Sequence, residues 1–333
     1  MATMTREKNA LGAIGKFMEL NFRHYNSRET VEAARAYKAL IDGKGKMLLS
    51  LAGAMSTGEL GISLAKMIRE GKIHAISSTA ANLEEDLFNL MAHDEYKTVS
   101  DYRDLTPAQE VALRDKGFNR VTDVCIPEHA MRNLERLLVL GVLKQAALKG
   151  ESLFPWEAFY RLLDEGEIQK YFKSDEKHSW VLAAWEKRLP IYTPGWEDCT
   201  MANNFVARVM EGKVKSHNVI KGGTEQMQHL VEWYTETTEK SPVGFFQIGG
   251  GIAGDFAICA VPLLIQDLKK KDSPLWAYFA QIGDSTTSYG SYSGAVPNEK
   301  ITWYKIAEHT PKFMIQSDAT IVAPLIFSYV LGE

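Results

Sequence analysis

The sequence predicts a doubly wound α/β fold, a mostly parallel sheet with helices on both faces and with extra N-terminal and central helices. Short apolar runs alternate with helix-length stretches and leave no room for hairpins, and small polar residues follow each run. No repeat of fixed period and no low-complexity linker divides the chain. Residues 1–333 are therefore read as one domain, with 1–44 as a helical N-terminal extension.

The elements follow in order. Residues 30–40 hold good helix formers behind a candidate cap, Ser27. A strand is expected at Lys46–Leu51, a small-residue turn at Gly53–Gly58, and a helix over Glu59–Glu70. A second strand, Ile73–Ser77, ends in Ser-Thr-Ala-Ala-Asn before a helix that opens with Leu-Glu-Glu-Asp. Residues 130–189 read as mostly helical, with a solvated turn at 174–178. The sheet rhythm then resumes, with strands expected at Pro190–Thr193, Val243–Ile248, Ala277–Ile282 and Lys312–Ile315. Ligands of such sheets gather at the carboxyl ends of the strands, where the polar turns lie.

Composition narrows the partners. The 38 basic and 42 acidic residues give a net charge of -4 without long runs of one sign, which points away from nucleic acid and from anionic membrane. A cationic substrate stays open. Three cysteines, Cys125, Cys199 and Cys259, show no CxxC spacing, so neither a disulfide framework nor a metal site is expected. Together with the lack of a signal-like apolar stretch after the first residues, this places the protein in the cytoplasm. Val243–Ile265 has the length of a membrane span, but glycines at 249–251 and 254 and the charge of Asp255 make it a buried strand, turn and helix.

Gly249, Gly251 and Gly254 form G-x-G-x-x-G directly after the apolar run ending at Ile248. This is the setting of a dinucleotide turn: glycines allow the tight bend and let backbone N–H groups approach a phosphate at a helix N-terminus. Asp284, after the next strand, stands where a ribose hydroxyl is often bound, at a longer spacing than usual. The same glycines also suit plain close packing of helix on sheet. With them the fold reads as Rossmann-like.

Several ordered segments together resemble the deoxyhypusine synthase family. Residues 291–306, Ser-Tyr-Ser-Gly-Ala-Val-Pro-Asn-Glu-Lys-Ile-Thr-Trp-Tyr-Lys-Ile, follow the family pattern Ser-x-Ser-Gly-Ala-x-Pro-x-Glu, then Trp-x-Lys. Ser-Thr-Ala-Ala-Asn-Leu-Glu-Glu-Asp at 78–86, Ile-Pro-Glu-His at 126–129, Tyr-Thr-Pro-Gly-Trp-Glu-Asp-Cys-Thr at 192–200, the glycines at 249–251 and Ser-Asp-Ala-Thr at 317–320 agree in order.

The resemblance implies a covalent lysine at Lys305 and a substrate-stacking tryptophan at Trp303. It implies NAD as cofactor, with contacts from Ser56, Thr57, Thr79, Ala80, Ala81, Glu85, Asp198, Gly249, Gly250, Gly251, Asp284, Ser285, Asp318 and Ala319. Glu84, Glu85 and Glu299 fall on polyamine-binding glutamates, and Asn203, Asp255, Gly290, Ser291 and Tyr292 on the remaining substrate positions. Alone, Lys305 would read as a surface lysine, Trp303 as a core aromatic and Glu299 as part of a solvated face. The joint pattern is what gives them roles.

The implied activity is transfer of an aminobutyl group from spermidine through an imine on Lys305. A lysine amine forms such imines, and a polycationic substrate calls for spaced carboxylates and an aromatic face. The acceptor is either a lysine of the hypusine-bearing translation factor or a small amine such as putrescine, as in homospermidine synthesis. The resemblance further implies a homotetramer with active sites at subunit interfaces.

Departures from the family pattern cluster in the substrate pocket. Tyr289 and Tyr292 stand where the family has aspartates, Asn203 replaces another, and Asp255 takes the place of a histidine. Thr57 replaces an asparagine. These changes lean toward a small-molecule acceptor or a variant donor. Two other classes stay open: an NAD-binding homologue that has lost catalysis and acts in regulation or assembly, and an ordinary nicotinamide dehydrogenase, against which stands the lack of a recognisable proton relay.

Overall fold

The structure, a computed structural model, describes residues 11–287 and 290–333. The helical reading of residues 1–10 and the departure at Tyr289 lie outside the described residues.

Two helices, α1 (Ala13–Asn21) and α2 (Tyr25–Asp42), precede the first strand, β1 (Lys46–Leu51). The cap of α2 is His24 rather than Ser27; the Ser27 hydroxyl sits inside the first turn and donates to the His24 carbonyl at 2.7 Å. Then come α3 (Gly61–Arg69), β2 (Ala75–Ser78) and α4 (Ala80–Ala92). The central insertion opens with β3 (Lys97–Thr98), α5 (Pro107–Asp115), β4 (Phe118–Val121) and β5 (Val124–Pro127), whose strands form a small antiparallel sheet absent from the sequence reading. All three runs are short, and β3 and β4 are partly or fully exposed, so they lack the apolar signature that marks the main strands. The insertion continues through α6 (Glu128–Leu134), a π-helical stretch Glu135–Leu143, α7 (Lys144–Lys149), α8 (Pro155–Glu165) and α9 (Trp180–Glu186).

The second half holds β6 (Ile191–Tyr192), α10 (Thr200–Met210), α11 (Gly223–Thr238), β7 (Val243–Ile248) and α12 (Gly251–Ile258). Helical residues Ala260–Pro262 and a π-helical stretch Leu263–Asp267 lead on to β8 (Phe279–Gly283), α13 (Glu299–Thr302), β9 (Lys312–Gln316) and α14 (Ala319–Leu331). The apolar stretch 243–265 is thus strand, turn and helix, and among the described residues no helix is long and apolar enough to cross a membrane.

The main sheet runs β6-β2-β1-β7-β8-β9, all parallel. Counted by first appearance in that sheet, the spatial order is third, second, first, fourth, fifth, sixth. This is the order of the doubly wound dinucleotide-binding fold, whose direction reverses between the first and fourth strands. Here the reversal lies between β1 and β7, paired in register from Lys46 with Val243 to Leu51 with Ile248.

Side chains alternate across the strands and build a core on each face. Leu49, Phe246 and Ala280 pack with α2, α4 and α14 through residues such as Tyr37, Leu83 and Phe327. Leu48, Phe245 and Phe279 pack on the other face with α11 and α12 through Leu230, Tyr234, Ala257 and Ile258. Each fully buried side chain of this size contributes about 1.5–3 kcal/mol. The strands are fixed firmly, and the loops at their carboxyl ends inherit their positions.

Candidate active site

The glycine turn sits at the reversal point of the sheet. Gly249 and Gly251 take positive φ of 75° and 60°, the left-handed region that favours glycine. A Cβ at Gly249 would stand 2.9 Å from that of Ala52, because the loops after β1 and β7 meet there. Two buried glutamines, paired on adjacent strands, hold the turn from beneath: Gln247 and Gln281 donate to the Gly249 carbonyl at 3.0 and 3.2 Å. From the side, the Ser293 hydroxyl accepts from the Gly251 N–H at 3.0 Å. That hydroxyl stands where a phosphate oxygen would meet the first turn of α12, and nothing crowds a Cβ at Gly251 within 4 Å. Backbone and helix terminus have the form of a dinucleotide turn, with the Ser293 hydroxyl in the place of a phosphate oxygen.

The other residues expected at a cofactor line the same carboxyl edge, each after a different strand. Ser56 and Thr57 follow β1, Thr79 to Ala81 follow β2 and enter α4, Asp198 follows β6, Asp284 and Ser285 follow β8, and Asp318 and Ala319 follow β9. Several are already engaged. Ser56 binds Asn82 through its N–H (2.8 Å) and its hydroxyl (2.7 Å) and accepts from the Trp180 indole at 2.9 Å. Thr79 donates to the Gly53 carbonyl at 2.9 Å, and Asp318 caps α14 by accepting from the Thr320 N–H at 2.8 Å. Thr57 is buried and faces the Glu85 carboxylate. Asp198 and Asp284 are exposed.

The acidic run at the start of α4 serves two other helices. Glu84 accepts from the N–H groups of Thr200 and Met201, at 2.9 and 2.7 Å, and so caps α10. Asp86 accepts from the Ser179 hydroxyl and from the N–H groups of Trp180 (3.3 Å) and Val181 (3.2 Å), and so caps α9. Orphan amides at helix N-termini are natural partners for buried carboxylates. Burial raises Glu84, pushes Glu85 up to about 7 with help from the Glu84 charge, and pushes Asp86 up to about 7 against its hydrogen bonds.

A pH dependence follows. Glu85 and Asp86 bind protons more tightly folded than unfolded, so their contribution is fully present below the ordinary carboxylate range near 4 and is lost as pH rises through about 7. Thermal stability is expected to fall between pH 5 and 8 by about 1.4 kcal/mol per pH unit per titrating group at most. The variant Asp86→Asn should flatten that slope; an equally steep melting profile from the variant would contradict it.

Lys305 lies on the other face of the sheet from α4. Its chain follows α13 and pairs with Trp276 ahead of β8, where the Trp276 N–H donates to the Lys305 carbonyl at 3.1 Å. The side chain is buried, and Nζ meets Asp255 Oδ1 at 3.2 Å. Asp255 belongs to α12, the helix that the glycine turn opens, so the amine stands about one helical turn from the proposed cofactor end.

A cavity of about 580 Å³ surrounds this amine; Asp255, Gly290, Ser291, Tyr292, Glu299 and Trp303 all line it. Tyr292 runs beneath Lys305, 5.2 Å from ring centre to Nζ, and its hydroxyl donates to Gln247 at 2.9 Å. Trp303 stands at the mouth, 60% exposed, with a free face for an ammonium. Glu84, Glu85 and Asn203 do not line this cavity in the same chain: the first two lie in α4, and exposed Asn203 donates to the carbonyl of Cys199, the residue that precedes α10.

Lys300 and Cys259 also line the cavity, and the sequence reading passed over both. Lys300 is 2% exposed, and among the described residues no hydrogen-bond acceptor meets its Nζ; burial, with the charge of Lys305, brings it down to about 8. The available signal was its place one residue beyond Glu299, though a lysine there reads as solvated.

The family model for deoxyhypusine synthase matches residues 18–330. A deoxyhypusine synthase-like protein of Nostoc punctiforme is 28% identical over 331 residues, covering 94% of this chain and 78% of the relative. The probable deoxyhypusine synthase 1 of Archaeoglobus fulgidus is 22% identical, covering 93% of this chain and 90% of the relative. Among solved structures, a protein of Entamoeba histolytica provisionally identified as a deoxyhypusine synthase shares the fold, with TM-score 0.52 and 12% identity over 92% of this chain and 87% of that one.

Proposed function

The chain belongs to the deoxyhypusine synthase family, a family of transferases, and from that premise we propose that it moves a 4-aminobutyl group from spermidine or a related polyamine to an acceptor amine through an imine on Lys305. One observation carries this reading: the buried Lys305 amine, beside Asp255 of the helix opened by the glycine turn, faces a cavity with a carboxylate and a tryptophan at hand.

NAD, held by the glycine turn at 249–251 with Thr79, Asp284 and Asp318 along the carboxyl edge, would supply the acceptor and later the donor of one hydride at the carbon beside the polyamine's secondary amine. The remaining work falls to the chain. Lys305 Nζ attacks that carbon, the carbon–nitrogen bond to the diaminopropane half breaks, and one proton passes from Nζ to the departing nitrogen. Asp255, 3.2 Å from Nζ, is placed to relay it. The aminobutyl group then rests on Lys305 as an imine until an acceptor amine displaces it. Glu299 and the Trp303 face hold the distal ammonium at the mouth. The acceptor is a protein lysine of the hypusine-bearing factor or a small amine such as putrescine. The reading includes a cytoplasmic homotetramer with active sites at subunit interfaces.

The test is chemical trapping. Incubation with NAD and labelled spermidine, followed by borohydride reduction and peptide mass analysis, is expected to place an aminobutyl adduct on Lys305. An unmodified Lys305 peptide after turnover would overturn the mechanism. Supplying putrescine or the factor and weighing the product separates the acceptors.

A further inference from the structure

We propose that the cavity, once the first amine half has left, selects as acceptor an alkyl diamine bearing one carboxylate, and that Lys300 is the residue that recognises this anion; the proposal rests on the transfer reading above and names its acceptor class. Lys300 projects from α13 into the cavity that holds Lys305, is 2% exposed, and among the described residues has no hydrogen-bond acceptor at Nζ. A buried ammonium without an acceptor is costly, because its N–H groups lose water and gain nothing in exchange. The faces of the Phe279 and Tyr292 rings, centred 4.6 and 5.1 Å away, offset part of its charge without supplying a hydrogen-bond acceptor to Nζ.

The other charged and titratable groups facing the cavity give it a polarity. Asp255 of α12 is paired with Lys305, and Cys259 and Tyr292 flank that pair. Glu299 of α13 and Asp267 of the π-helical stretch are exposed at the mouth. Carboxylates at the entrance and an unmatched cation inside complement a zwitterion, with its ammonium outward and its carboxylate inward. A plain diamine acceptor would bring no anion to meet Lys300. That lysine, at about 8, remains mostly protonated at neutral pH.

Calorimetric titration of the full chain with NAD present would compare amines that differ by one carboxylate: ornithine with putrescine, and lysine with cadaverine. Wild type is expected to bind the carboxylated member of at least one pair tenfold more tightly, and Lys300→Met is expected to bring that ratio close to one. Equal or tighter binding of the plain diamine in both pairs would overturn the proposal, as would an unchanged ratio in a folded Lys300→Met variant. Should that variant fail to fold, the wild-type ratios decide alone. Borohydride trapping at Lys305 reports separately on the covalent mechanism, so loss of selectivity and loss of the imine are distinct results.

Discussion

Replacing Lys305 by alanine is expected to lower aminobutyl transfer about a thousandfold or more while leaving the protein folded. The amine is the nucleophile of the proposed covalent step, and removing a nucleophile that acts with its neighbours as a unit costs most of the rate enhancement. Stability should change little. The ion pair lost with it has a half-exposed partner, Asp255, and such pairs contribute about 1 kcal/mol at most. Binding of NAD and of the donor should survive, because the glycine turn is held by Gln247, Gln281 and Ser293 rather than by the lysine. Single-turnover assays with labelled spermidine, beside a circular dichroism melt, check both halves. Transfer at the wild-type rate would end the mechanism.

Gly250→Ala is expected to damage the site from the cofactor side. Its φ of -150° lies outside the left-handed region, and the crowding around a Cβ decides the outcome. A Cβ there would overlap the Ser293 side chain and come within 2.8 Å of the Ser293 Cα. The turn around Ser293 must move away, which breaks its hydrogen bond to the Gly251 N–H and disturbs Tyr292 next to it. Overpacking of this kind costs about 1–3 kcal/mol. NAD affinity should fall more than tenfold, read by fluorescence titration. Adding Ser293→Gly removes the Cβ and hydroxyl in the way and should recover part of the stability, because only the close approach to Cα remains. No recovery in the double variant would show that the contact is not the cause.

The main strands were legible because their signal is local. Lys46–Leu51 and Val243–Ile248 were bounded correctly by apolar runs ending in glycine or small residues, and the glycine turn announced itself by three glycines at the end of a buried strand. The small antiparallel sheet was missed because Lys97–Thr98 and Phe118–Val121 are short and partly exposed. Ser27 was read as a cap because capping residues are chosen by type, whereas the chain turns into helix three residues earlier, at His24. Glu84 illustrates the limit at the candidate site: the motif marks it as a polyamine ligand, and in this chain its carboxylate meets two amides of α10.

By itself, then, the sequence determined the order of the main-sheet strands and the helices between them, the glycine turn, the resemblance that singled out Lys305, and the departures in the substrate pocket. These are properties of neighbouring residues or of ordered motifs. The tertiary structure decided that β1 and β7 lie side by side, that Asp86 caps α9, that Ser293 sits on the Gly251 amide, that Asp255 faces Lys305, and that Lys300 turns inward with no hydrogen-bond acceptor among the described residues. Each of those joins groups on different elements or fixes which way a side chain points. Chain order carries no record of such encounters; only packing, which chooses the face each side chain presents and the acceptors left within its reach, settles them.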